Sequence, residues 1–322
     1  MKRFKNILYV ADSSGVVLKA FHHAVDVAER NDARLTALMV IERIPPYLTR
    51  LTPYMLQQKR MEEQLAALDR LCAWVSGRVD IEAKIVEGTP FLEVIREVLR
   101  HGRDLVVKST EEDPDLMRWL FGTTDMHLLR KCPCPVWLIK STKPTPIRRI
   151  LAAVDFNELD PSGQDTAEPL NRKILELAGS LASLERSELH VVHTWFPIGE
   201  SLMRGERMGM TPQEVELYVK ELRLVHRHWL DRMMRKARKW LGRESYEALK
   251  PRTHLPKGDA GEAIPALARK LNVDLIVMGT VARTGIPGLI IGNTAESILG
   301  QIDCAVLAVK PDGFVTPVTL EA

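Results

Sequence analysis

The sequence predicts an α/β fold built twice in one chain: two tandem, open, mostly parallel sheets of five strands, each flanked by helices. Three observations carry that expectation. Short, near-continuous apolar runs alternate with amphipathic stretches, the pattern of parallel strands covered on both faces. The whole alternation occurs twice. Between the copies lies STKPTPIR (141–148), a polar stretch broken by prolines and suited to a linker.

A self-comparison makes the duplication explicit. Gly88–Lys140 can be laid on Gly258–Lys310 without a gap, with identities at Gly88/Gly258, Asp104/Asp274, Gly122/Gly292, Thr124/Thr294, Cys134/Cys304 and Lys140/Lys310. Upstream, KNILYVAD (5–12) matches RRILAAVD (148–155). The second copy is longer because of an insertion between its second and third strands. The expected domains are 1–142 and 143–322.

In chain order, the first copy reads as strand ILYVAD, helix Lys19–Arg30, strand RLTALMVIE, a long helical region and strand IEAKIVE. A helix follows, with Thr89 as N-cap and Pro90 at its first position. Strand DLVVKS, a loop, a helix and strand PVWLIK close the unit. The second copy repeats this as ILAAVD, helix Asn171–Leu184, ELHVVHTWF, the insertion, RTHLPK, a helix, DLIVMG, a loop, a helix and AVLAVK. Asp259/Glu262 and Asn293/Glu296 have capping-box spacing, which explains those four residues without any function. In such sheets ligands bind beyond the carboxyl ends of the strands, where Asp12, Ser109, Asp155 and Gly279 fall.

Composition narrows the class. A chain of 322 residues with 45% hydrophobic and 27% charged content is that of a soluble, ordered protein of two domains. A net charge of +3 is too small to argue for nucleic acid. The apolar run of MKRFKNILYVAD stops at Asp12 with no cleavage site after it, so it is expected to be a first strand and not a signal peptide. No apolar stretch approaches the ~18 residues of a membrane span. Four cysteines are too few for a disulfide framework and suit a reducing cytoplasm. Cys132-Pro-Cys134 lacks zinc-ligand spacing.

The stretch MGTVARTGIPGLIIGNTAESIL (278–299) reads as a strand end, a glycine-punctuated loop and a helix start. It is neither a GxxxxGK[ST] loop nor a dinucleotide fingerprint. Gly279, Gly285, Gly288 and Gly292 would let backbone N–H groups and a helix N-terminus approach an oxyanion, with Arg283 adding charge. They fit equally a plain turn between strand and helix. No G-x-S-x-G elbow, HExxH or related catalytic set occurs.

With the duplication, the strand-end aspartates and GNTAE followed by KPDGF (310–314), the chain resembles the tandem universal stress proteins of the bacterial E type, over essentially all of both halves. The resemblance implies Rossmann-like domains packed about a pseudo-twofold axis within one chain, with ATP or another adenine nucleotide, with or without Mg²⁺, as ligand. Nucleotide-binding members carry G-x2-G-x9-G-[S/T] after the fourth strand and an aspartate ending the first. Here Asp155, Gly279 and Gly292 match, Ala282 stands where the second glycine belongs, and Asn293 replaces the hydroxyl residue. The implied binding set is Asp155, Thr194, Gly279, Ala282, Arg283, Gly292, Asn293 and Thr294, with His193 and Thr194 where the family lines its adenine pocket. In the first half Glu112 replaces the glycine, and Glu111, Asp113 and Asp115 surround it. Like charges at ~4 Å cost about 4 kcal/mol at an effective dielectric of 20, so nucleotide is expected in the second half only.

The insertion, 211–243, has Val215, Val219, Leu222, Val225, Trp229, Met233, Ala237 and Trp240 at helical spacing and a basic remainder. It is expected to form a helix packed on the sheet with a solvated charged face; an acidic partner, anionic lipid or weak nucleic-acid contact is the alternative. His226 and His228 should not share a face. The expected role is a cytoplasmic stress-response sensor or regulator that acts by binding, with slow ATP hydrolysis at most incidental. The alternative is a non-nucleotide binder or scaffold for a lipid-like metabolite or a protein partner, and further dimerisation is open.

Overall fold

The computed structural model describes residues 3–12, 18–44, 53–110, 123–140, 146–156, 167–205, 210–280 and 292–320. The chain divides into two compact units, one of residues 1–147, 278–293 and 303–322, the other of 148–277 and 294–302.

The first unit opens with β1 (Asn6–Ala11), α1 (Leu18–Asn31), β2 (Arg34–Ile41), α2 (Pro53–Val75) and β3 (Ile81–Glu87). It continues with α3 (Pro90–His101), β4 (Leu105–Ser109), α4 (Thr123–Lys131) and β5 (Val136–Ile139). The strands lie in the order β3-β2-β1-β4-β5, all parallel, and Tyr9 of β1 pairs with Ala37 on one side and Val107 on the other. That register brings the carboxyl ends of β1 and β4 together. Burial on both faces explains why ILYVA and LVV are unbroken apolar runs. Thr89 occupies the N-cap of α3 in extended conformation with Pro90 behind it, although its side chain makes no capping bond. The helix stops at Gly102, whose left-handed φ of 61° suits glycine and lets its N–H reach the Val98 carbonyl.

The second unit runs β6 (Arg149–Ala153), α5 (Glu168–Glu185), β7 (Glu188–Val192), α6 (Glu200–Met203), α7 (Pro212–Leu241), α8 (Arg243–Leu249) and β8 (Arg252–His254). Next come α9 (Ala260–Leu271), β9 (Leu275–Gly279) and α10 (Asn293–Leu299). Its strands are parallel in the order β9-β6-β7-β8. The last strand, β10 (Ala305–Val309), lies with the first unit and runs antiparallel to β5, Leu307 opposite Trp137.

The repeat-identical aspartates have a structural reason. Asp104 accepts hydrogen bonds from the Lys5 and Asn6 N–H groups, at 2.6 and 3.1 Å. Asp274 does the same for Arg148 and Arg149, at 2.9 and 3.0 Å. Each carboxylate ties the fourth strand of its copy to the start of the first.

Helix α7 begins with a capping box that the sequence reading did not use: Thr211 Oγ1 accepts from Glu214 N–H while the Glu214 carboxylate accepts from Thr211 N–H. It packs along α5, where Gly179 leaves room for Leu241 and Lys236 pairs with Glu168. The inward row is Val215, His226, Trp229, Leu230, Met233 and Ala237. Val225, expected inward, is 53% exposed, because the helix is turned so that His226 faces in instead. His226 and His228 do lie on different faces. Asp259 caps α9 through the Gly261 N–H at 2.7 Å, without the reciprocal bond expected from Glu262.

Candidate functional site

The strand-end carboxylate of the first unit is already occupied. The side chain of Lys108, on β4, is 4% exposed, and its Nζ sits 2.7 Å from Asp12 Oδ1 and 3.2 Å from Asp125 Oδ1. Lys108 also donates to the Ser109 carbonyl at 2.9 Å, and Ser109 Oγ donates to Asp12 Oδ2 at 2.8 Å. Burial works against the ammonium, but Asp125 and Asp12 outweigh it and hold its pKa above the ordinary lysine value. Asp12 is therefore spent on an internal ion cluster and not presented to a ligand hydroxyl. Sequence reasoning missed Lys108. The signal was a charged residue within an apolar parallel strand, aligned with Met278 of the second copy. The acidic residues Glu111, Glu112, Asp113 and Asp115 and the glycine Gly122 lie outside the described residues.

In the second unit, Asp155 follows β6 and is exposed. Its backbone is clamped by the buried Asn171 of α5: Asp155 N–H donates to Asn171 Oδ1 at 3.0 Å, and Asn171 Nδ2 donates to the Asp155 carbonyl at 2.6 Å. Its Oδ1 accepts the Phe156 N–H at 2.9 Å. Thr194 follows β7 and is half-buried, on backbone held by bonds from His193 N–H to the His254 carbonyl and from Trp195 N–H to the Pro256 carbonyl.

Beside Thr194 lies a cluster to which the insertion contributes. His193 Nε2 is 2.7 Å from His226 Nδ1, and both rings are almost fully buried. Trp229 lies against His193 at a ring separation of 4.6 Å, and Phe156 against Trp229 at 5.1 Å. Burial, reinforced by the neighbouring His226, lowers the pKa of His193 to about 3, although a hydrogen bond with the Val154 backbone favours the charged ring. His193, neutral and bonded to a second buried histidine, acts as a packing element and not as a general base. Among the described residues no group of three or more His, Cys, Asp or Glu side chains is placed to hold a metal ion.

Gly279 ends β9, and the loop beyond it is closed at its base by a bond from Gly292 N–H to the Thr280 carbonyl, at 3.3 Å. Thr280 is buried; its hydroxyl donates to the Leu129 carbonyl at 3.0 Å and receives a bond from Lys310 Nζ at 2.8 Å. Gly292 is half-buried, and Asn293 and Thr294 open α10 with exposed side chains. Ala282 and Arg283, with Gly285 and Gly288, lie outside the described residues. No helix of the described residues is long and apolar enough to cross a membrane.

Comparison with known proteins converges on one family. Residues 3–140 and 146–310 each match the model of the universal stress protein family. Universal stress protein E of Escherichia coli (strain K12) is 30% identical over 330 aligned positions, covering 100% of this chain and 98% of that one. The Haemophilus influenzae universal stress protein E homolog is 27% identical, covering 96% and 98%. Among solved structures, a universal stress protein from Pseudomonas aeruginosa UCBPP-PA14 is similar with a TM-score of 0.70 and 25% identity, covering 97% and 95%. One from Archaeoglobus fulgidus shares the fold, with a TM-score of 0.57 and 17% identity.

Proposed function

The chain belongs to the universal stress protein family of stress-response proteins, and on that premise we propose that it is a cytoplasmic regulator that binds ATP or another adenine nucleotide in its second domain. The observation that carries this reading is the contrast between two matched aspartates. Asp12 is locked by Lys108 and Ser109, whereas Asp155 is exposed and its backbone, not its carboxylate, is what Asn171 holds. An exposed aspartate on backbone fixed at a strand end suits a ribose or base. In this reading Thr194 borders the base. Gly279, Ala282, Gly292, Asn293 and Thr294 hold phosphates through backbone N–H groups and a helix start, with Arg283 adding charge and Mg²⁺ shared by the phosphates. The protein acts by binding; slow hydrolysis is incidental.

Isothermal titration calorimetry with ATP, with and without Mg²⁺, tests the proposal. Wild type should give saturable heat, Gly292→Arg should abolish it by filling the phosphate approach, and Asp155→Ala should weaken it about tenfold or more, as loss of a charge-assisted hydrogen bond does. Absence of heat in wild type would overturn it. One observation favours a second reading, a non-nucleotide ligand or protein scaffold: His226 and Trp229 of the insertion pack against His193 where the family's adenine pocket is expected. Native mass spectrometry separates the two, since a retained ligand declares its mass.

A further inference from the structure

Helix α7 carries a second stripe, on the face opposite its buried row, that the core of its unit does not use. At three- and four-residue steps it passes through Glu214, Leu217, Glu221, Leu224, His228, Arg232, Arg235 and Lys239, all exposed. The stripe is ordered along its length. Acids lie in the amino-terminal half and cations, Arg235 among them, in the carboxyl-terminal half. Leu217 (56% exposed), Leu224 (48%) and Val225 lie from the acidic half to the middle. Several basic side chains of this unit pair with carboxylates, among them Lys236 with Glu168, Arg238 and Arg243 with Glu247, and Arg252 with Glu188. Among the described residues, Arg232, Arg235 and Lys239 have no such match.

We propose that this stripe is a self-association surface, occupied by α7 of a second copy of the chain running antiparallel. A sequence with acids first and cations last complements its own reverse, which is what a two-fold axis supplies. With the axis crossing between positions 226 and 227, Glu221 faces the other copy's Arg232, Glu214 faces Lys239, and the Leu224 and Val225 side chains of both copies gather at the centre. A polyanion or an anionic surface would instead be repelled by Glu214 and Glu221. The stripe is about 38 Å long at 1.5 Å per residue but only one side chain wide, with exposed charge pairs. The dimer is accordingly weak and salt-sensitive.

Sedimentation velocity over a concentration series, at low salt and at about 0.5 M salt, tests this. Wild type should dimerise at low salt and dissociate at high salt. Glu221→Lys and Arg232→Glu should each weaken the dimer about tenfold or more, since every substitution acts twice across the axis, and the double variant should return to within a few-fold of wild type. Both positions are exposed, and circular dichroism checks that the variants fold. A wild type that stays monomeric at low salt overturns the proposal. So does an association that Glu221→Lys leaves unchanged or tightens, which would mark another surface or an acidic partner.

Discussion

Replacing Lys108 by methionine, the residue at the matching position 278, removes the cation between Asp12 and Asp125 while roughly keeping side-chain length. The separations of 2.7 and 3.2 Å each correspond to about 5 to 6 kcal/mol of attraction at an effective dielectric of 20. Desolvation of three ions cancels most of that sum, so the loss is set by two buried carboxylates deprived of their shared cation. Breaking a buried pair from one side costs about 3 to 5 kcal/mol. Urea unfolding of both proteins at pH 7, followed by tryptophan fluorescence, measures the loss. In an Asp12→Asn background the same substitution should cost about 1 to 3 kcal/mol less, because the two side chains act as a unit. A loss below about 1 kcal/mol would refute the reasoning, since it would mean that neither carboxylate depends on the ammonium.

Two further outcomes follow from buried groups. With a folded pKa of about 3 against roughly 6.5 in the unfolded chain, His193 contributes stability that is complete above pH 6.5 and is lost as pH falls toward 3. By pH 5 that amounts to about 2 kcal/mol, so His193→Gln should lose that much less stability than wild type between pH 8 and 5 in urea titrations, and parallel losses would count against it. His23, lowered to about 4 chiefly by burial, contributes to both proteins and cancels in the comparison. Lys310 Nζ donates to the carbonyls of Leu129 and Arg130 at the end of α4 and to Thr280 Oγ1; burial lowers its pKa to about 8, so it is still charged at neutral pH. Lys310→Met should therefore cost about 1 to 3 kcal/mol, read as a lower thermal midpoint, by removing the donor to the Arg130 carbonyl and Thr280 Oγ1 and one of two donors to the Leu129 carbonyl. An unchanged midpoint would contradict that account.

The fold was legible because parallel strands buried on both faces must be continuous apolar runs, and because duplication doubled the signal. Strand and helix signatures that each occur twice need no tertiary information to recognise. What stayed hidden depends on partners distant in sequence. Lys108 acquires meaning only once β1 and β4 are neighbours, which sets it against Asp12. The turn of α7 hid for a related reason: helical periodicity favoured Val225 as the inward residue, but a histidine bonded to His193 and lying beside Phe156 and Trp195 is buried at lower cost than an unpaired one. In ELHVVHTWF the regular strand ends at Val192, beyond which Trp195 makes only an isolated bridge to Lys257. Of the candidate site, residue types and spacing were readable from Asp155, Gly279, Gly292 and Asn293. Whether a triphosphate fits at Ala282 is decided by local backbone geometry, and spacing does not encode that.

The ion cluster also changes why the first half should be silent. Repulsion from Glu111, Glu112, Asp113 and Asp115 is a charge effect that a divalent cation can neutralise, so on that ground alone Mg²⁺ could restore a nucleotide to the first half. A strand-end carboxylate bonded at 2.7 Å to a buried ammonium is a different obstacle. Reaching Asp12 would require ejecting Lys108 from between Asp12 and Asp125, at a cost of the order of 3 to 5 kcal/mol, which reduces affinity by a factor of roughly 10² to 10³. Metal added with the ligand does not remove that cost. The calorimetric stoichiometry expected is therefore one nucleotide per chain, independent of Mg²⁺ concentration. A second site appearing at high Mg²⁺ would return the explanation to the acidic loop.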